Sequence, residues 1–353
     1  MNYQTEDLAA GIRKLASEVG DVTIMEVCGT HTQNIRRFGI PSLLPGNIRL
    51  VSGPGCPVCV TSQEDIAAAV FAAGRENVIF VCFGDMMRVP CRAGSLEKLR
   101  QAGRDVRLAT SPLDALKIAK ENPRKEIVYF GIGFETTAPH TAALVEAAER
   151  TGTGNLSILN VHKTMPEAIR YLLRGENQIS ALLCPGHVAS VTGSDAFSFV
   201  ASELQRPAAV SGFEAFEILA AILKLLDMIR KKDPQCVNMY PQAVTREGNR
   251  QAQELMDKIF KPCDAVWRGI GCIPGSGLAF RECYAGYDAK KRFDIPHQET
   301  EEPEKCLCAK ILKGEKNPED CVFFGKECTP DNPVGPCMVS SEGSCAACYR
   351  YRP

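Results

Sequence analysis

Seven of the chain's 17 cysteines fall after residue 305: Cys306, Cys308, Cys321, Cys328, Cys337, Cys345 and Cys348. Four of them, Cys306, Cys321, Cys328 and Cys345, form a C-x14-C-x6-C-x16-C pattern. Thiols at this density bind soft metals or iron–sulfur clusters, or pair as disulfides. A structural zinc site usually draws on two tight knuckles. Cys345-Ala-Ala-Cys348 offers one, but Cys306-Leu-Cys308 is too tight for a second. A cluster tolerates scattered thiolates, because each iron takes one protein ligand. Spacing therefore favours a cluster while leaving zinc open. The cysteines left over, Cys308, Cys337 and Cys348, are candidates for a redox pair beside it.

Two more thiol constellations lie near the N-terminus. The segment VSGPGCPVC (51–59) follows a strand pattern and leads into an apolar helix pattern. Ser62 with Asp65, or Thr61 with Glu64, resembles a capping box. That sets Cys56 and Cys59 just before a helix N-terminus, where backbone N–H groups favour a thiolate. C-x-x-C between strand and helix is a dithiol redox signal, with half a zinc site as the bland alternative. The segment EVCGTHTQ (26–33) ends the first strand. Cys28 and His31 are three residues apart, a spacing that lets both face one metal or substrate. Three further strand ends carry polar groups: FGDMMR (83–88) with Asp85, GFETTAP (133–139) with Glu135, and CPGH (184–187) with His187. His162 and His187 taken singly read equally well as structural histidines. GFETTAP lacks both phosphate-loop signatures, so nucleotide binding has weak support.

Alternating strands and helices must position these groups. Strand patterns fall at 22–27, 48–51, 77–83, 106–109, 127–132, 156–161, 179–183 and 207–210, with alanine-rich amphipathic stretches between most of them. This rhythm predicts parallel α/β units. The charged link ENPRKE (121–126) divides them into two sheets of about four strands, and one larger sheet is the alternative. A long helix over 213–232 ends in a basic turn. After it the chain turns mixed, then polar and proline-rich, with few long apolar runs. Such a tail buries little core, and a metal site supplies the missing stability.

The 353 residues suffice for two or three domains. The net charge is −1, which gives no global electrostatic footprint for nucleic acid or an anionic membrane. The first residues lack an apolar signal region, and no stretch reaches the length of a membrane span. The expected location is the cytoplasm, where thiols stay reduced and point to metal or redox roles.

Taken together, MEVCGTHT (25–32), SLLPGNIRLVSGPGCPVCVT (42–61), FGDMMRVP (83–90), GFETTAP (133–139), PGHVASVTG (185–193), SGFEAFEIL (211–219), WRGIGCIPGSGL (267–278) and FGKECTPDNPVGPCMVSSEGSC (324–345) resemble the hydrogenase maturation factor HypD family. The resemblance covers nearly the whole chain. It implies two α/β domains and a third domain with a [4Fe–4S] cluster on Cys306, Cys321, Cys328 and Cys345. It also implies functional roles for Cys28, Cys56 and Cys59, with His31 and Asp85 as neighbours. The implied partners are a HypC-type small chaperone and a HypE-type cyanide donor with HypF upstream. The implied task is to hold iron while cyanide and CO build the Fe(CN)2CO unit of [NiFe]-hydrogenase, as a scaffold and not as a free-standing enzyme. Thr30 and Gln33 depart from a CGGHTH reading found in some members, while the cysteine and the first histidine remain. The expected layout is a helix over 1–20 packing on the C-terminal domain, α/β domains over 21–123 and 124–234, and an iron–sulfur domain over 235–353. Two rival readings stand: a stand-alone cluster-dependent thiol–disulfide reductase, and a zinc-stabilised interaction module.

Overall fold

The computed structural model describes residues 3–175, 177–297 and 305–352. Among the described residues the strands in chain order are β1 (Val22–Glu26), β2 (Ile48–Ser52), β3 (Val78–Cys82), β4 (Val106–Leu108), β5 (Glu126–Gly131), β6 (Leu156–Asn160), β7 (Ala181–Pro185), β8 (Ala208–Ser211), β9 (Cys236–Asn238), β10 (Phe260–Trp267) and β11 (Gly271–Phe280). One sheet has the order β2-β1-β7-β8-β9, a second β4-β3-β5-β6, and β10 with β11 forms a hairpin. All pairings in the first two sheets are parallel. Strands such as β3 and β7 are buried at every position, because helices cover both faces of each sheet.

The expected division at 123/124 does not match the strand pairing. β3 pairs with β5 in the register Val78↔Glu126, so the two sides of the ENPRKE link share one sheet. β1 pairs with β7 in the register Ile24↔Ala181. The chain leaves the first sheet after β2, builds the whole second sheet, and returns at β7. Strand rhythm reports where strands are, not which ones pair.

The N-terminal helix Tyr3–Ala16 also departs from expectation. Its apolar stripe shares a core with Ala215–Lys231 and the outer face of the first sheet, through Ile12, Ile24, Leu183, Ile222 and Leu225. Gly11 lets the Leu223 side chain come close. The helix therefore sits on the first sheet and not on the C-terminal region.

A second core lines the outer face of the second sheet, with Ile79, Ile127, Tyr129 and Val145. The largest core lies between the sheets and takes in Met25, Phe80, Phe130 and Leu182. Cys308, Cys328, Cys337, Met338 and Cys345 belong to this same core. The cysteine-rich tail is thus packed into the body of the molecule. Among the described residues no helix is long and apolar enough to cross a membrane.

Candidate functional site

β1 delivers Glu26 and Cys28 to the carboxyl edge of the first sheet. Cys28 is the N-cap of the helix Gly29–Arg37 and is 7% exposed. Its N–H donates to Glu26 Oε2 at 3.0 Å, and Thr32 Oγ1 donates to Glu26 Oε1 at 2.5 Å. Burial pushes the Glu26 carboxyl up to about 7. Burial also pushes the Cys28 thiol up to about 12, with the nearby Glu342 carboxylate adding to the effect. The backbone N–H groups of His31 and Thr30 oppose this and favour the thiolate.

His31 is fully buried one helical turn on. Its Nε2 donates to the Gly212 carbonyl at 2.8 Å, which leaves Nδ1 with a bare lone pair and no partner. Burial lowers the ring to about 4, so it is neutral at ordinary pH. Its ring lies 4.7 Å from that of Phe213, which also stacks on His187 at 4.0 Å.

The C-x-x-C loop is bound to this strand end. Gly53 N–H donates to the Glu26 carbonyl at 2.7 Å, and Gly29 N–H to the Gly55 carbonyl at 3.0 Å. A Cβ on Gly55 would collide with the backbone of Val27 and Cys28, so glycine lets the two thiol segments touch. Cys56 and Cys59 are joined as a disulfide, with Cα atoms 5.2 Å apart. They do not precede the long helix Gln63–Ala73 directly. Cys56 caps a separate single turn, Pro57–Val60, and Cys59 lies within it. The long helix is capped by Ser62, whose Oγ accepts from Asp65 N–H at 3.0 Å.

Both sheets reverse strand order at a point where loops converge. In the first, the loops after β1 and β7 flank the reversal; in the second, those after β3 and β5 do. Such switch points are where open α/β sheets bind ligands. A cleft of about 410 Å³ lies here, lined by Gln33, Pro57 and Val58 from one side and Asp85, Gly133 and Thr137 from the other. Asp85, in the short turn Gly84–Arg88, is exposed on its wall. Ser340, Ser341 and Glu342 complete the lining.

Glu342 is the residue that sequence reasoning missed. Its carboxylate accepts from Thr30 Oγ1 at 3.0 Å and lies over Gly29, leaving no room for a side chain there. Burial raises its pKa. Only its place inside a quoted cysteine-tail motif hinted at a role. Glu135 instead turns inward and accepts from Met165 N–H at 2.9 Å. His162 Nδ1 donates to Asn160 Oδ1 at 2.6 Å. Neither residue lines the cleft.

The four cysteines of the spaced pattern come together. Cys306, Cys321, Cys328 and Cys345, with Cys308, line one small pocket walled by Phe323, Phe324, Val334 and Met338. Val334 N–H points to Cys328 Sγ at 3.4 Å. Burial, then the neighbouring thiols, raises Cys345 far above an ordinary thiol. Crowded thiols in an apolar pocket suit a soft metal centre, which relieves the clustering of negative charge. Cys348 donates to Glu319 Oε1 at 2.7 Å and does not line this pocket. Among the described residues no three His, Cys, Asp or Glu side chains converge as a single-ion site. Cys306 and Cys308 both lie against Gly335, and the Cys308 thiol is coupled to those of Cys306 and Cys337. The turn Pro336–Val339 separates this pocket from the C-x-x-C disulfide: Met338 lines the pocket, and Cys59 Sγ lies 4.0 Å from the Pro336 carbonyl.

The family model described as HypD, hydrogenase formation hypA family, matches residues 4–352. The chain is 42% identical over 352 residues to the hydrogenase maturation factor HypD of Azotobacter vinelandii, covering 98% of this chain and 93% of the relative. It is 41% identical over 341 residues to a putative hydrogenase expression/formation protein of Methanocaldococcus jannaschii, covering 97% and 95%. It is 40% identical over 355 residues to the maturation factor HypD of Rhodobacter capsulatus, covering 98% and 94%.

Proposed function

The chain belongs to the HypD family of hydrogenase formation proteins, and on that premise we propose that it is a cytoplasmic scaffold for assembly of the Fe(CN)2CO unit. Iron is its cargo, held with a HypC-type small chaperone while a HypE-type donor, supplied by HypF, delivers cyanide. The observation that supports this reading is that Asp85, Glu342 and, from the C-x-x-C turn, Pro57 and Val58 line one cleft at both switch points, with Glu342 held by Thr30 two residues from Cys28. Cys28 supplies a soft thiolate for iron that will carry cyanide. Its thiol proton must leave on binding. The backbone N–H groups of His31 and Thr30 favour the thiolate left behind.

Reductive release of cyanide from a thiocyanate-type carrier breaks a sulfur–carbon bond and consumes two electrons and two protons. The dithiol form of Cys56 and Cys59 provides both on closing to the disulfide present here. Cys306, Cys321, Cys328 and Cys345 fit a [4Fe–4S] cluster, which supplies single electrons when bound. Cys308 and Cys337, both buried beside it, make a second dithiol.

A stand-alone disulfide reductase is the second reading, and the family match favours the scaffold. The test is Cys28→Ser in protein isolated without oxygen together with its small partner. The variant is expected to stay folded and brown, but to lose the infrared cyanide bands and hydrogenase activity in cells. Normal cyanide bands in the variant would remove Cys28 from the mechanism.

A further inference from the structure

A second cavity, of about 180 Å³, opens at the carboxyl end of β6 and shares no lining residue with the switch-point cleft. Strand carboxyl ends are where open α/β sheets bind ligands. Drug-sized molecules take roughly 300–1,000 Å³, so this cavity suits an ion of a few atoms. Two lysines meet one carboxylate in its wall. Lys290 Nζ donates to Asp65 Oδ1 at 2.9 Å, and Ser62 Oγ donates to Asp65 Oδ2 at 2.8 Å. Lys163 Nζ stands 3.8 Å from that Oδ2, beyond hydrogen-bond length, although its side chain is only 3% exposed. The buried ammonium therefore has donors to spare. The other lining carboxylates, Glu64 and Asp264, lie nearer solvent and have partners of their own, His297 Nδ1 and the Gly275 N–H. His162 also lines the cavity. Asn160 Nδ2 donates to the Leu278 carbonyl at 2.6 Å, which turns Oδ1 toward His162 Nδ1 and makes that nitrogen the donor. Burial keeps the ring neutral. Its Nε2 is thus an acceptor, and no described residue meets it.

We propose that this cavity binds a small oxyanion that carries a proton, dihydrogen phosphate or hydrogen carbonate. Lys163, with Lys290 beside it, donates to the anionic oxygens, and the O–H of the ion donates to His162 Nε2. One ion then satisfies both groups that the fold leaves open, and buried polar groups without partners are costly. Sulfate offers acceptors alone. It can meet the lysines but sets its lone pairs against that of Nε2. A site built around a hydrogen bond rejects the analogue that lacks it. The proposal stands apart from the iron and thiol chemistry and does not depend on it.

The experiment is isothermal titration calorimetry of the full chain with sodium phosphate at pH 6 and sodium hydrogen carbonate at pH 8, with sodium sulfate at equal ionic strength as the reference at each pH. Wild type is expected to bind phosphate or hydrogen carbonate at a single site, and sulfate at least about tenfold more weakly. Whichever of the two binds identifies the ion. Lys163→Met is expected to weaken binding at least about tenfold, because it removes the buried ammonium. His162→Asn is expected to erase the preference over sulfate while leaving weak binding of both. Where Lys163→Met does not fold, Lys290→Met takes its place with the same expectation, and the wild-type comparison with sulfate stands without any variant. Wild type that binds neither probe, or binds sulfate equally well, overturns the proposal. So does binding that the lysine variant leaves unchanged, which would mark an adventitious ion only, and so does a preference over sulfate that survives His162→Asn.

Discussion

His162 shows what a buried titratable side chain does to stability. Its Nδ1–H is taken by Asn160, its Nε2 has no partner, and burial lowers its pKa to about 3. The unfolded ring titrates near 6.5. A group with a depressed folded pKa gives stability that is complete above the unfolded value and is lost as pH falls toward the folded one. Between pH 7 and pH 5 this ring alone is expected to cost about 2 kcal/mol. Denaturant unfolding of wild type and His162→Asn at both pH values checks it: the variant should lose about 2 kcal/mol less over the same step. Equal losses would place the pH response elsewhere. At this scale the sequence was informative for thiols and poor for acids and bases. Cys28, Cys56 and Cys59 stand in motifs with strand-end context. Glu342 reaches its place only through tertiary packing, and nothing in its local spacing distinguishes it from a surface charge.

The strand ends are the elements that make the site, and glycine makes their contact possible. Gly55→Ala places a Cβ against the Cys28 backbone and must push the C-x-x-C loop off β1. The expected loss is about 1–3 kcal/mol from overpacking, with reduced hydrogenase maturation. Thermal unfolding and in-cell hydrogenase activity of the variant test this, and a wild-type melting temperature would show that the loop yields freely. The eight strands from β1 to β8 were legible because continuous apolar runs alternate with amphipathic helices. β9 and the β10–β11 hairpin were not. β9 has three half-buried residues, and the hairpin runs through GIGCIPGSG, whose glycines and prolines read as turns.

Strand pairing is a property of the whole molecule, which is why the order in which elements were legible did not reveal the domains. The cysteine-rich tail was expected to be poor in core, yet Cys308, Cys328, Cys337, Met338 and Cys345 belong to the largest core. On the proposed cluster reading, losing the metal centre should therefore be felt throughout. Cys321→Ala is expected to bleach the brown colour and lower the melting temperature in a single transition seen by calorimetry. A separate low-temperature transition, with the main one unmoved, would mean that the tail melts alone. The return of the chain to its first sheet at β7 has a consequence during synthesis. A ribosome completes the second sheet, and releases Cys28, Cys56 and Cys59 into the cell, before β7 exists to flank β1. Glu342, which roofs Gly29, emerges later still. The cleft proposed to hold iron is thus finished almost at the end of translation, so a nascent or prematurely terminated chain carries the thiols without that enclosure.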